Sequence, residues 1–99
     1  MLTKNEIKQR IKDNSHILKQ YHIGRIGIFG SYANDNATEN SDIDLIVDFT
    51  DTISLFQYVR LTDSIAVVLD HKVDLVTIDG LKPRIKNTIM KQVEWIEGL

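Results

Sequence analysis

The chain has 99 residues, a net charge of −2 and no cysteine. This length suits one compact domain, which we expect over residues 1–99, and leaves no room for a separate substrate-binding domain. Hydrophobic residues make up 42% and charged residues 26%, a composition typical of globular rather than disordered proteins. The missing cysteines exclude disulfides, thiol catalysis and zinc–thiolate sites. The slightly acidic balance is unlike that of most nucleic-acid-binding proteins.

The sequence also gives no sign of a membrane segment. Residues 1–6 lack the apolar stretch of a signal peptide. The longest purely apolar run, Ile65–Leu69, is far shorter than the ~20 residues that span a bilayer. We therefore expect a soluble, cytoplasmic protein with no membrane partner.

The first elements are a helix and a strand. Thr3 and Glu6 have the spacing of a capping box, and apolar residues then recur near helical spacing, which predicts a first helix from about Thr3 to Tyr21. The alternating pattern of Ile23–Phe29 predicts a strand. A short helical turn is expected at Ser31, followed by a loop over residues 34–40, which are rich in Asn, Asp and Thr.

The middle of the chain predicts two more strands and a helix between them. The strand Asp42–Phe49 has a near-continuous apolar centre, which indicates burial on both faces. A helix follows from Thr52 or Ser54, and the strand Lys72–Ile78 comes next, before a turn at Asp79-Gly80. The residues expected on the buried stripe of this helix are Leu55, Val59, Ile65 and Leu69.

The last element is predicted to be a helix that begins at Pro83, since proline is tolerated at the first helical position. Its expected apolar face consists of Ile85, Ile89, Val93 and Ile96. Helices and strands thus alternate along the chain. This order predicts an α/β (α+β) fold in which helices pack on a small mixed sheet.

Asp42 and Asp44 form the most informative pair of polar residues. Side chains two residues apart on a strand share one face, so the two carboxylates are expected to lie side by side and to repel each other. A bound cation would offset that repulsion, and magnesium binds through one or two carboxylates plus substrate phosphates. The alternative is an ordinary solvated strand end, which an isolated Asp-x-Asp would favour.

Gly30 and Ser31 follow a predicted strand at a turn. Glycine lets the backbone approach a ligand closely, and free N–H groups at the start of a helical turn favour phosphate. The serine hydroxyl adds a further donor. Taken alone, this pair also fits a purely structural turn.

Asp74 is the third acid of interest and lies among apolar residues of a predicted strand. A carboxylate in a buried strand is costly unless it is paired or bound to metal, and this favours a functional role. The alternative is an edge strand with Asp74 facing water.

Together these motifs resemble the DNA-polymerase-β-type nucleotidyltransferase superfamily. The segments Phe29–Ala33, Ser41–Val47 and Lys72–Val76 resemble its smallest branch, the minimal nucleotidyltransferases, over nearly the whole chain. Asn34 and Asp35 stand where this family commonly has arginine and glycine, so the loop lacks the basic residue found there in the family.

The resemblance implies a palm-like minimal domain that transfers a nucleoside monophosphate and releases pyrophosphate. It implies that ATP lies against Gly30 and Ser31, and that Asp42, Asp44 and Asp74 hold Mg²⁺, with Asp74 also helping to activate the attacking hydroxyl. It further implies an antitoxin that transfers AMP to a tyrosine of a HEPN-domain ribonuclease toxin.

Two other functions remain open at this point. The chain could neutralise a partner by binding alone, with a vestigial metal site, or it could modify a small molecule such as an antibiotic with the help of a second subunit. Among the remaining residues, Tyr32 is expected either to stack on a base or to pack. Trp95 is expected in the last helix, and the three histidines at the surface.

Overall fold

The computed structural model describes residues 1–99 and contains a four-stranded sheet with five helices. The elements in chain order are α1 (Lys4–Asp13), α2 (Ser15–Gln20), β1 (Ile23–Phe29), α3 (Gly30–Ala33), β2 (Ile43–Phe49), α4 (Leu55–Leu69), β3 (Val73–Thr77), α5 (Pro83–Gln92) and β4 (Glu94–Trp95).

The sheet has the order β3-β2-β1-β4. Strand β1 is antiparallel to β2 and β4, whereas β2 and β3 are parallel. The predicted small mixed sheet with packed helices is therefore confirmed. None of the helices has the length and apolar character that crossing a bilayer requires.

One face of the sheet carries most of the hydrophobic core. Alternate residues of β2 point to this face, and α1, α2 and α4 supply residues of the same buried cluster. The core members are Ile7, Ile11, Leu18, Ile26, Ile28, Tyr32, Ile43, Leu45, Val47, Leu61, Ile65, Leu69, Leu75 and Ile96.

The other face of the sheet is covered only in part. Ile46 lies between Gly27 and Val76 in the strand register and is fully buried, so the predicted burial of β2 on both faces is confirmed at its centre. A β-carbon at Gly27 would overlap the side chain of Val93 and would lie 3.0 Å from the Trp95 ring. The segment after α5 therefore packs directly on the sheet here.

The predicted first helix is interrupted. The capping box of Thr3 and Glu6 is present, but the helix stops at Asp13 and α2 starts at Ser15. Asn14 between them has φ −117° and ψ 27°, and its side chain donates to the Arg10 carbonyl at 2.8 Å. An asparagine that bonds to nearby backbone competes with the helix, which explains the break.

Helix α4 begins after Ser54, as predicted, with a second capping box. Ile65 and Leu69 are buried as expected. The prediction that Leu55 and Val59 are buried was wrong, because they are 78% and 50% exposed. The third buried position is Leu61. Val59 precedes Leu61 by two residues, about 200° around the helix, so the two cannot share a stripe.

The end of the chain also differs from the prediction. Helix α5 ends at Gln92 and has no fully buried residue, so Val93 and Ile96 do not belong to its apolar face. Trp95 lies in β4 and pairs with β1, and Ile96 N–H donates to the Ile26 carbonyl at 2.9 Å. Pairing with a strand edge has overridden the helical spacing here.

Candidate active site

The turn after β1 brings Gly30 against a carboxylate. Gly30 has φ +72°, a left-handed conformation that glycine adopts without a steric penalty. A β-carbon here would overlap Asp44 Oδ2 and would lie 3.1 Å from Asp44 Cγ. Ser31 then enters the short helix α3, whose first N–H groups have no acceptor within the helix. The absent side chain of Gly30 therefore makes room for the carboxylate.

Asp44 lies where three segments meet. It pairs with Phe29 in the antiparallel register of β1 and β2, and with Asp74 in the parallel register of β2 and β3. Gly30, Asp44 and Asp74 are therefore brought to the same end of the sheet. Burial raises the pKa of Asp44, and the negative charges of Asp74 and Asp42 raise this pKa further.

Asp42 precedes β2 and is half-buried. Its Oδ2 lies 3.8 Å from Nζ of Lys72, a residue that sequence reasoning missed. Lys72 lies two residues before Asp74, and this spacing is the signal that could have placed both side chains on one face of the sheet.

Asp74 is exposed, on the edge strand β3. The expectation that burial makes its carboxylate costly was therefore wrong, and the alternative of an edge strand is what the structure has. Asp74 still lies beside Asp44 in the register. Its position next to another acid, and not burial, makes it a candidate for the site.

The donor set fits a magnesium ion that is shared with a substrate. No group of three or more His, Cys, Asp or Glu side chains is arranged to enclose a metal by itself. Magnesium in nucleotide sites needs only one or two carboxylates, because phosphates and waters supply the remaining ligands. Burial and then the negative charges of Asp74 and Asp42 raise the pKa of Asp44, and a cation bound among these acids would relieve the repulsion between them.

A surface depression of about 650 Å³ lies away from these acids. It is formed at the other end of β2 and β3 by residues such as Phe49, Ile53 and Ile78. Phosphate chemistry needs charged groups more than apolar volume, so the end of the sheet with the acids remains the better candidate.

Tyr32 packs and does not offer its ring for stacking on a base. It is only 4% exposed, and its hydroxyl lies 3.5 Å from Nε2 of His71. His71 is half-buried, contrary to the expectation of a surface position, whereas His16 and His22 are exposed as expected. The Tyr32–His71 contact joins α3 to the segment that precedes β3.

Comparison with known proteins gives a consistent picture. A family model described as polymerase beta, nucleotidyltransferase matches residues 5–97. The protein adenylyltransferase MntA of Thermococcus cleftensis is 34% identical over 97 residues, which cover 97% of this chain and 98% of that protein.

Two solved structures have the same fold. One, assigned as a minimal nucleotidyltransferase, has a TM-score of 0.82 at 27% identity and covers 94% of this chain and 95% of that chain. The other is a toxin–antitoxin crystal structure with AMP-PNP, with a TM-score of 0.75 at 26% identity over 93% of this chain and 73% of that chain.

Proposed function

The chain belongs to the polymerase-β-type nucleotidyltransferase family, and we propose that it transfers AMP from ATP to a tyrosine hydroxyl of a HEPN-type ribonuclease toxin and thereby acts as its antitoxin. The observation that carries this proposal is the meeting of Gly30, Asp44 and Asp74 at one end of the sheet. The relative from Thermococcus is a protein adenylyltransferase, and a similar fold occurs in a toxin–antitoxin complex with an ATP analogue.

We assign the triphosphate to the turn after β1. The backbone N–H groups at the start of α3 and the hydroxyl of Ser31 donate to phosphate oxygens, and Gly30 permits their close approach. Asp42, Asp44 and Asp74 are the proposed ligands of Mg²⁺. When bound, this ion would neutralise phosphate charge and stabilise the attacking and leaving oxygens.

The proposed transfer is an in-line substitution at the α-phosphorus. The tyrosine oxygen forms a bond to this phosphorus, the bond to the bridging oxygen of the β-phosphate breaks, and pyrophosphate leaves. Asp74 is exposed, so its carboxylate can receive the hydroxyl proton and pass it to water. Asp42 and Asp44 would fix the position of the metal charge beside the phosphates. Such preorganised electrostatic stabilisation is the main contribution a protein makes to phosphoryl transfer.

The acceptor is proposed to bring its own binding surface. Residues 1–99 are accounted for by one sheet and its helices, and we assign them to a single catalytic domain. A partner protein that presents its tyrosine at the exposed end of the sheet supplies what this domain lacks. Because ATP is the donor, we place the reaction in the cytoplasm.

A transfer assay with a purified HEPN-type toxin tests the proposal. The toxin is incubated with the chain, Mg²⁺ and ATP labelled at the α-phosphate or, in parallel, at the γ-phosphate. We expect label on the toxin only from α-labelled ATP, and loss of label when the acceptor tyrosine is phenylalanine. An Asp42→Ala, Asp44→Ala double variant should transfer nothing, whereas Asp63→Ala, an exposed acid of α4, should match the wild type.

The other outcomes identify other functions. If the double variant still silences the toxin as well as the wild type, the chain acts by masking and the acids have no catalytic role. Label found only on small molecules would instead show a small-molecule nucleotidyltransferase.

A further inference from the structure

The proposed site poses a problem of charge. Three carboxylates, Asp42, Asp44 and Asp74, lie at the end of the sheet where a triphosphate is proposed to bind, and two of them are paired in the strand register. Burial, and then the charges of Asp74 and Asp42, raise the pKa of Asp44. No lysine or arginine occurs between Arg25 and Arg60, so neither the Gly30-Ser31 turn nor the following loop offers a cation. A basic group for the phosphates has to come from elsewhere in the chain.

Lys72 is the basic residue at this end of the sheet. Its carbonyl accepts a hydrogen bond from Ile43 N–H at 3.0 Å, which fixes its backbone beside the start of β2. Its side chain is 80% exposed, and its Nζ lies 3.8 Å from Asp42 Oδ2. Of the five ion pairs in the chain, this is the only one that includes a carboxylate of the site.

The ammonium of Lys72 is free to move, unlike that of Lys4. The Lys4 side chain is 22% exposed, its Nζ is 3.0 Å from Glu94 Oε2, and it donates to the Ala33 carbonyl at 3.3 Å. An exposed pair at 3.8 Å is weak, and lysine has a flexible four-carbon stem with three donors. Lys72 can therefore leave Asp42 without loss of the fold.

We propose that Lys72 is a triphosphate-binding residue that pairs with Asp42 while the site is empty and contacts phosphate oxygens when nucleotide is bound. This inference rests on the proposed function. Without nucleotide, the ammonium partly neutralises Asp42 and would compete with a metal ion for it. With nucleotide and metal bound, Asp42 would be a metal ligand and the ammonium of Lys72 would contact the phosphates. Loss of the Lys72 charge should therefore change the affinities for nucleotide and for metal alone in opposite directions.

Binding measurements on three variants test this role. Lys72→Met keeps the length of the side chain and removes its charge, Lys72→Arg keeps the charge, and Lys19→Met removes an exposed charge on α2. The dissociation constant of AMP-PNP is measured with Mg²⁺, and that of Mn²⁺ alone by electron paramagnetic resonance. A charged hydrogen bond to phosphate corresponds to about a tenfold change in affinity.

For Lys72→Met we expect AMP-PNP to bind about tenfold more weakly and Mn²⁺ alone to bind more tightly, because its competitor is gone. Lys72→Arg should restore most of the nucleotide affinity, and Lys19→Met should change neither constant. Unchanged AMP-PNP affinity in Lys72→Met, or weaker Mn²⁺ binding, would overturn the inference. If the wild type itself binds no AMP-PNP, the proposed function has failed as well.

Discussion

The substitution Gly30→Ala probes the contact between the turn and the acids most directly. Alanine at φ +72° pays a left-handed backbone penalty of about 1–2 kcal/mol. Its β-carbon would overlap Asp44 Oδ2, closer than the 3.0 Å that real β-carbons keep. The carboxylate therefore has to move by about 1 Å, and a displacement of this size in a catalytic group can lower a rate about a hundredfold.

The assay compares initial rates of AMP transfer and urea unfolding for Gly30→Ala and Gly24→Ala. Gly24 lies at the opposite end of β1, where a β-carbon would lie 3.1 Å from a Thr50 methyl group, which can shift slightly. We expect about a hundredfold lower kcat for Gly30→Ala with a stability loss of about 1–2 kcal/mol, and a wild-type kcat for Gly24→Ala. A wild-type kcat in folded Gly30→Ala would refute the reasoning that links this turn to Asp44.

Four further variants test the packing and the charges. Because the pKa of Asp44 is raised in the folded state, its ionisation begins to destabilise the fold as the pH rises above the ordinary aspartate pKa, and the loss is complete above the raised value. Asp44→Asn should therefore raise the unfolding midpoint at pH 7 without metal, but not at a pH below the ordinary aspartate pKa. An equal gain at both pH values would argue against this cause. Gly27→Ala should cost about 1–3 kcal/mol through overlap with Val93, and adding Val93→Ala should recover part of it in urea titrations; simple additivity of the two effects would contradict the predicted contact. Tyr58→Phe removes a hydroxyl that donates to the Leu75 carbonyl and should cost about 0.5–1.5 kcal/mol, and no loss would show that this bond contributes nothing.

The strands β1, β2 and β3 could be predicted from the apolar pattern of the sequence, which β2 shows most clearly. Ile43 and Leu45 enter the core while Asp44 faces the other side, as a period of two requires. The same period places Asp42 and Asp44 on one face from the sequence alone. Local pattern was sufficient here because Ile43, Leu45 and Val47 form a fully buried face of β2.

The helices were less predictable because an apolar residue at helical spacing is not always buried. Which residues are buried depends on the elements that pack against the helix. Val59 is apolar and lies in a helix, but half of it is exposed, since the stripe is set by Leu61, Ile65 and Leu69. Trp95 follows a helical spacing and still pairs in β4, because β1 offers a free edge for it. The apolar neighbours of Asp74 predict a buried strand, yet β3 lies at an edge of the sheet. The order of elements in the sequence does not reveal this position.

The position of β3 has a consequence for how the site opens and closes. Gly30 directly follows β1 and Asp44 lies on β2, and these two strands are central in the sheet, whereas Asp74 lies on a strand that has a neighbour on one side only. Edge strands detach at a lower free energy than the whole domain unfolds. Amide protons of β3 should therefore exchange with solvent before those of β1 and β2. In the proposed site, fraying of β3 would remove Asp74 from its place beside Asp44. Transfer can therefore cease at temperatures where most of the protein is still folded.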